Sequence, residues 1–262
     1  MIKKFFLVAL FGILMIGGAI WYFLKFREGT AVNQNVPQSI KSMETVTITT
    51  KDGVQIIGDY YPAGAENAPM VLLLHMMPAT RKSWVDFAEK LNEAGMGALA
   101  IDLRGHGDSL NKTDGTYLNY KNFSNVEHQL SIHDVEASVD FLKQKGAEKI
   151  FVMGASIGAN LALQYAAEHS DIRAVVLLSP GLDYRGVLTA DLPPQLRAGQ
   201  AVYFAASSED SYSADSIRML YQKTPEGVIK EEKIFDNAGH GTDMFIHEPD
   251  FEGQIISWLK TL

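Results

Sequence analysis

A serine stands between two glycines in Met153-Gly154-Ala155-Ser156-Ile157-Gly158, directly after the apolar run Ile150 to Met153 and at the start of a helix-spaced segment. That setting puts the serine on a strained strand-to-helix turn that exposes its hydroxyl, with no room for side chains at 154 and 158. The three fixed letters alone would recur by chance in roughly one chain in ten, so the setting carries the weight. A serine hydroxyl near neutral pH needs a base, and Asn237-Ala238-Gly239-His240-Gly241-Thr242 offers one on a glycine-flanked loop after the last strand. The imidazole in turn needs a carboxylate to hold one tautomer and stabilise its positive charge. Ser207-Ser208-Glu209-Asp210 ends the preceding strand with two adjacent acids, and neighbours on an extended chain point oppositely, so only one can serve. Asp210 is preferred, then Glu209, then Asp183 in the loop after Ser179-Pro180. The order serine, acid, histidine fits nucleophilic acyl transfer. Asp215 reads as an exposed residue in a helical first turn.

Other chemistries find less support. His128, His133, His169 and His247 fall in helical or near-helical segments and read as solvated. His128 and His133 are five residues apart, on different helix faces, which does not suit a metal pair. No phosphate-cradling glycine loop or dinucleotide fingerprint is present, so neither a metal nor a cofactor is expected. The absence of cysteine excludes disulfides and a thiol nucleophile, and a net charge of -8 argues against a nucleic-acid partner.

The elements that must position these residues are legible in outline. Glu44 to Thr50 and Val54 to Tyr61 are β-rich runs joined at Lys51-Asp52-Gly53, which predicts an antiparallel hairpin. Continuous apolar runs follow at Val71 to Leu74, Ala98 to Ile101, Ile150 to Met153, Ala174 to Leu178 and Val202 to Ala206, as buried parallel strands require. Ser83 to Ala94, Ile132 to Lys145, Ile157 to His169 and Ser213 to Gln222 carry helix-spaced apolar residues between them. Ile229 to Phe235 alternates like an edge strand, and Phe245 to Leu262 reads as one closing amphipathic helix. The expectation is a three-layer α/β/α sandwich with a mostly parallel sheet of roughly eight strands over residues 43–262.

Residues 1–28 differ in kind. Lys3 and Lys4 precede an uncharged apolar stretch from Phe5 to Leu24, closed by Lys25 and Arg27. Its length matches about 30 Å of hydrocarbon, and Trp21 and Tyr22 suit the membrane interface. A retained transmembrane helix over about 5–24 is expected, with a cleaved secretory signal as the alternative. The catalytic domain then faces away from the cytoplasm, and Gly29 to Ser42, polar and containing Pro37, reads as a linker.

Four separately placed motifs resemble those of the α/β-hydrolase superfamily, and the resemblance covers residues 44–262. His75-Met76-Met77-Pro78 is similar to its His-Gly-x-Pro loop, with Met76 where glycine is usual. Asp102-Leu103-Arg104-Gly105-His106-Gly107-Asp108-Ser109 is similar to its D-x-R-G-H-G-x-S segment, and Gly154 to Gly158 and Gly239-His240-Gly241 to its elbow and base loop. The resemblance implies an oxyanion hole at the backbone amides of Met77 and Ile157, with His75, His106, Asp102 and Arg104 as braces. It also implies no cap domain, because only Pro180 to Gln200 fills the gap where many members carry one, and hence an open site like that of small dienelactone-hydrolase-like and carboxylesterase-like members. Serine, where dehalogenases and epoxide hydrolases carry aspartate, favours hydrolysis of a small-molecule ester or thioester through an acyl-enzyme. A peptidase, an acyltransferase, or a non-catalytic membrane-tethered binding protein are the alternatives. Asn111 to Asn125, polar but bearing Tyr117, Tyr120 and Phe123, reads either as a substrate-contacting segment or as a surface excursion.

Overall fold

The computed structural model describes residues 42–262. The expected membrane helix at about 5–24 and nearly all of the expected linker lie outside the described residues. Among the described residues, no helix is long and apolar enough to cross a membrane.

Eight strands form one sheet: β1 (Glu44–Thr49), β2 (Gln55–Tyr61), β3 (Met70–Leu74), β4 (Gly97–Ile101), β5 (Ile150–Ala155), β6 (Ile172–Leu178), β9 (Ala201–Ser207) and β10 (Ile229–Phe235). Their spatial order is β1-β2-β4-β3-β5-β6-β9-β10. The first two pair antiparallel with each other, and β2 pairs antiparallel with β4; the six strands from β4 to β10 run parallel. Every residue of β3, β4, β5 and β9 is buried, which is why these stretches are continuous apolar runs rather than alternating ones. At the edge, β10 leaves Glu231, Glu232 and Lys233 exposed and buries its end, with Ile234 packed against one apolar cluster and Phe235 within the other.

Within β3, Leu72 and Leu74 face one apolar cluster while Val71 and Leu73 face another, the period-2 alternation of a strand covered on both sides. The first cluster takes Val135, Val139 and Leu142 from α3 (Ile132–Gln144), Leu161 and Tyr165 from α4 (Ile157–Glu168), and Ile217 and Leu220 from α5 (Ser211–Lys223). The second takes Phe87 and Leu91 from α1 (Val85–Glu93) and Phe251 and Ile255 from α7 (Phe251–Leu259). Each such fully buried side chain contributes about 1.5–3 kcal/mol of transfer free energy. The buried sheet with helices on both faces is the expected three-layer sandwich.

Two expectations need correction. The closing helix is broken: α6 (Met244–His247) and α7 are separated at Glu248-Pro249-Asp250, because proline disfavours helical backbone in the residue before it. The stretch from Pro180 to Gln200, whose shortness implies an open site, has structure of its own. It forms a two-stranded hairpin, β7 (Asp183–Tyr184) against β8 (Val187–Leu188), then a single 3-10 turn at Pro193–Gln195. It is too small for a cap domain, yet it reaches over the site described next. The remaining short helix, α2 (Asn125–Gln129), is started by a capping box in which Ser124 and Glu127 satisfy each other's backbone amides.

Candidate active site

Ser156 sits between β5 and α4 at φ 55° and ψ −119°, a left-handed backbone that an L-residue adopts only when its surroundings enforce it. Its amide donates to Leu178 O at 2.8 Å, pinning the turn to β6. Glycine is required on both sides. A methyl on Gly154 would lie 2.1 Å from Gly158 O, and one on Gly158 would lie 2.4 Å from Leu74 O. The second close approach seats the start of α4 against the loop that follows β3. The unpaired first amides of α4, beginning with Ile157, therefore lie beside the loop carrying Met77.

The base loop leaves β10 at Phe235 and is lashed to the end of β9. Asn237 and Gly239 donate their amides to Glu209 at 2.8 and 2.7 Å, and Ala238 donates to Ser207 Oγ at 2.7 Å. Ser207 Oγ–H in turn donates to Glu209. Gly241 donates to Ser179 Oγ at 2.9 Å, which ties the far side of the loop to the end of β6. Gly241 itself packs so closely that a methyl there would lie 2.6 Å from Met76 Sδ and 3.2 Å from Ala155 Cβ. The residue after the histidine thus touches the residue before the serine.

His240 Nδ1 and Asp210 Oδ2 are 2.6 Å apart. Burial pushes the Asp210 carboxyl up, but hydrogen bonds from His240 and Ser213 outweigh it and hold the group below its ordinary value, so it is a carboxylate and accepts. His240 Nδ1 is then the donor, which leaves Nε2 with a lone pair, as a base requires. Asp210 also caps α5 through Ser213 N, so one carboxylate fixes both a helix start and an imidazole. Glu209 and Asp183 are engaged elsewhere. Glu209 holds the base loop's backbone, with Ser207 the largest of the contacts that keep its carboxyl below the usual range. Asp183 accepts from Gly186 N at 2.7 Å within its own hairpin turn.

Met76, in the position where glycine is usual, is not among the residues with a left-handed backbone. The loop therefore needs no glycine there, and the thioether is used against Gly241. The braces behave as the resemblance implies. His75, fully buried, accepts from Leu103 N at 3.0 Å through Nε2 and donates Nδ1–H to Met76 O at 2.9 Å; burial lowers its pKa to about 4. His106 donates to Arg104 O at 3.0 Å and stacks on Tyr120 with centroids 3.8 Å apart; burial and His75 lower it to about 3. Asp102 accepts from the amides of Arg81 and Asp108 and from the Arg81 guanidinium. Arg104 bridges Asp134 and Asp52.

Three residues have no warning in the sequence. Ser179 and Ser207 hold the loop that carries His240, and Tyr184 reaches over it from the small hairpin. The Tyr184 hydroxyl bonds Ser213 Oγ at 3.0 Å. Its ring lies edge-on to His240, with centroids 6.2 Å apart. Consequently the site is less open than expected: Ser156 is only 8% exposed. His128 is also not solvated, but buried in α2. Nothing in a short segment such as Asp183-Tyr184-Arg185-Gly186 betrays these contacts, because they are made by folding back over a distant strand end.

The parallel sheet with a serine on a strained strand-to-helix turn defines the α/β-hydrolase superfamily, and this chain belongs to it. Within it, the family described as serine aminopeptidase, S33, matches residues 65–217, more than half of the chain, and the chain is a member of that family. The matched stretch includes Ser156 and Asp210 but ends before His240. Residues of this chain are 29% identical over 171 positions to a thermostable monoacylglycerol lipase of Bacillus sp. (strain H-257), covering 63% of this chain and 60% of that protein. They are 32% identical over 138 positions to epoxide hydrolase 3 of Siraitia grosvenorii, covering 52% of this chain and 39% of that one. The chain thus spans less than two thirds of either curated relative. An esterase of Pyrococcus furiosus shares the fold, with a TM-score of 0.67 at 18% identity over 84% of this chain and 90% of the esterase. A dienelactone hydrolase of Anabaena variabilis does so at 0.64 and 18%, over 83% and 94%.

Proposed function

We propose that this protein is a serine hydrolase that cleaves a carboxylic ester or thioester through an acyl-enzyme. The observation that carries the proposal is the 2.6 Å contact between His240 Nδ1 and Asp210 Oδ2, on a loop packed against the turn that strains Ser156. In the proposed cycle Ser156 Oγ adds to the substrate carbonyl carbon while its proton passes to His240 Nε2. The displaced electron pair collects on the carbonyl oxygen, which accepts from the amides of Met77 and Ile157; such donors are each worth about 3 kcal/mol in the transition state. Collapse of the adduct expels the alcohol or thiol, which leaves with the proton from His240. Water then gives its proton to the same nitrogen and its hydroxyl to the acyl carbon, and the carboxylic acid departs as Ser156 is reprotonated.

Serine at this position separates the reading from that of the epoxide hydrolase relative. A serine that opened an epoxide would be left as an ether, which water does not cleave, whereas an ester of serine is readily hydrolysed. The description of the matched family favours a second reading, cleavage of a peptide bond by the same three side chains. The two part on substrates: short 4-nitrophenyl esters against aminoacyl anilides. A fluorophosphonate probe should label the wild-type protein and not Ser156→Ala. Failure to label the wild-type protein would leave the scaffold as a binding protein, and faster capture of the acyl group by an added alcohol than by water would make it an acyltransferase. We further propose that residues 5–24 tether the domain to a membrane; release of the full chain into the soluble fraction of a cell lysate would refute this.

A further inference from the structure

Beside the reaction centre lies a cleft of about 470 Å³ walled by Met77, Tyr120, Lys121, Phe123, His128 and Arg185. One wall is the residue whose amide is proposed to face the oxyanion. Another wall is Arg185, next in sequence to Tyr184, whose ring lies edge-on to His240 with centroids 6.2 Å apart. The cleft thus adjoins the site, and Asn111 to Asn125, readable from sequence as either a substrate-contacting segment or a surface excursion, supplies Tyr120, Lys121 and Phe123 to its lining.

Its charge runs against that of the molecule. In a chain of net charge -8, Lys121 and Arg185 bring two cations to one small volume, and neither joins an ion pair among the described residues. The carboxylates close by in sequence are already engaged: Glu127 accepts from the amide and hydroxyl of Ser124 at 2.7 and 2.8 Å, and Asp183 accepts from Gly186 N. Arg185 is held at φ 56°, a backbone that the hairpin turn imposes on it. The flanks are rigid and apolar: Tyr120 is stacked on buried His106, and Phe123 packs edge-on to His128 with centroids 5.4 Å apart. A guanidinium and an ammonium beside aromatic walls match a carboxylate at the end of an apolar chain: the planar guanidinium donates to both carboxylate oxygens, and the aromatic rings take the chain.

Resting on the serine-hydrolase reading, we propose that this cleft binds a carboxylate on the substrate, so that the enzyme selects esters whose acyl or alcohol portion ends in an anionic carboxyl group, with Lys121 and Arg185 as the specificity-determining residues. Two arms distinguish the portions. On the acyl side, 4-nitrophenyl hydrogen adipate is compared with 4-nitrophenyl hexanoate; on the alcohol side, 4-carboxyphenyl acetate is compared with 4-methylphenyl acetate. In at least one arm the ratio of kcat/KM, charged over neutral, should fall about tenfold or more in the Lys121→Gln/Arg185→Gln protein. The wild-type ratio in that arm should also fall as salt is raised. Ratios unmoved by the double variant in both arms would overturn the proposal. A binding measurement separates this failure from failure of the hydrolase reading. Monomethyl adipate should bind calorimetrically to Ser156→Ala protein and lose about tenfold in affinity when both cations are removed, whether or not the wild-type protein turns over any ester; equal affinity in the two proteins would overturn the proposal on its own.

Discussion

In the loops that follow β3 and β4, His75 and His106 are sealed from solvent, and burial holds their imidazoles neutral, at about 4 and 3. Beside them Asp102 and Asp134, buried completely, are met by Arg81 and Arg104. At the ends of β9 and β10 the same residue types are treated differently. His240 keeps 36% of its side chain exposed and Asp210 keeps 18%, and they face each other rather than a guanidinium. A group that must gain and lose a proton within each cycle needs access to water and a partner that stabilises only one of its forms. A brace needs the opposite, a fixed state and no alternative. Both clusters use histidine and aspartate, so what separates a brace from the proposed acid–base pair is burial and the identity of the counter-charge.

The comparison can be broken by substitution. Ser156→Ala should lower kcat for ester hydrolysis by about 10⁴-fold or more while leaving the melting temperature close to that of the wild-type protein. Asp210→Asn should cost somewhat less, about 10³-fold, because the amide no longer enforces the Nδ1–H tautomer. If Asp210→Asn were nearly silent while Asp183→Asn was not, the acid would be misassigned. On the other side, Arg104→Met leaves the Asp134 carboxyl buried without its partner and should destabilise the fold by about 3–5 kcal/mol in chemical denaturation. A loss as small as that of a surface ion pair would show the braces to be replaceable.

The pH dependence of stability sharpens the contrast. Above pH 6.5 both brace imidazoles are neutral in the folded and the unfolded chain. Below it the unfolded chain takes up protons that the folded one refuses until about pH 4 and 3, so stability falls as pH falls. Asp134, raised by burial to about 6, binds its proton earlier in the folded state and opposes this between about pH 6 and 4. The two histidines outweigh the one carboxyl, and the net loss between pH 7 and 5 should be about 2 kcal/mol, read from urea titrations. His106→Gln should flatten that slope. The smallest effect concerns the supports of the base loop: Glu209→Ala, which frees the amides of Asn237 and Gly239, should lower kcat about tenfold with KM little changed.

Much of this is legible in the residues alone. Leu72 to Leu74, Val152 and Met153 declare buried parallel strands because no polar residue interrupts them, and the Gly154-Ala155-Ser156-Ile157-Gly158 turn declares itself because nothing but glycine fits at its ends. Asp210 was separable from Glu209 only by preference, since both end the same strand and alternation says that one faces the histidine without saying which. Tyr184 and Ser179 are illegible, because the partners that give them a role lie 29 residues on in the chain for the first, at Ser213, and 62 residues on for the second, at Gly241.

The sequence by itself determined the kind of sheet, the strained turn and the order of serine, acid and histidine, since these follow from local periodicity, glycine content and chain order. Only the tertiary structure decided which carboxylate meets His240, what holds that loop in place, and which side chains roof and flank Ser156. Those are contacts between segments far apart in the chain, and their geometry is fixed by how helices and strand ends pack together, which no local pattern of residues encodes.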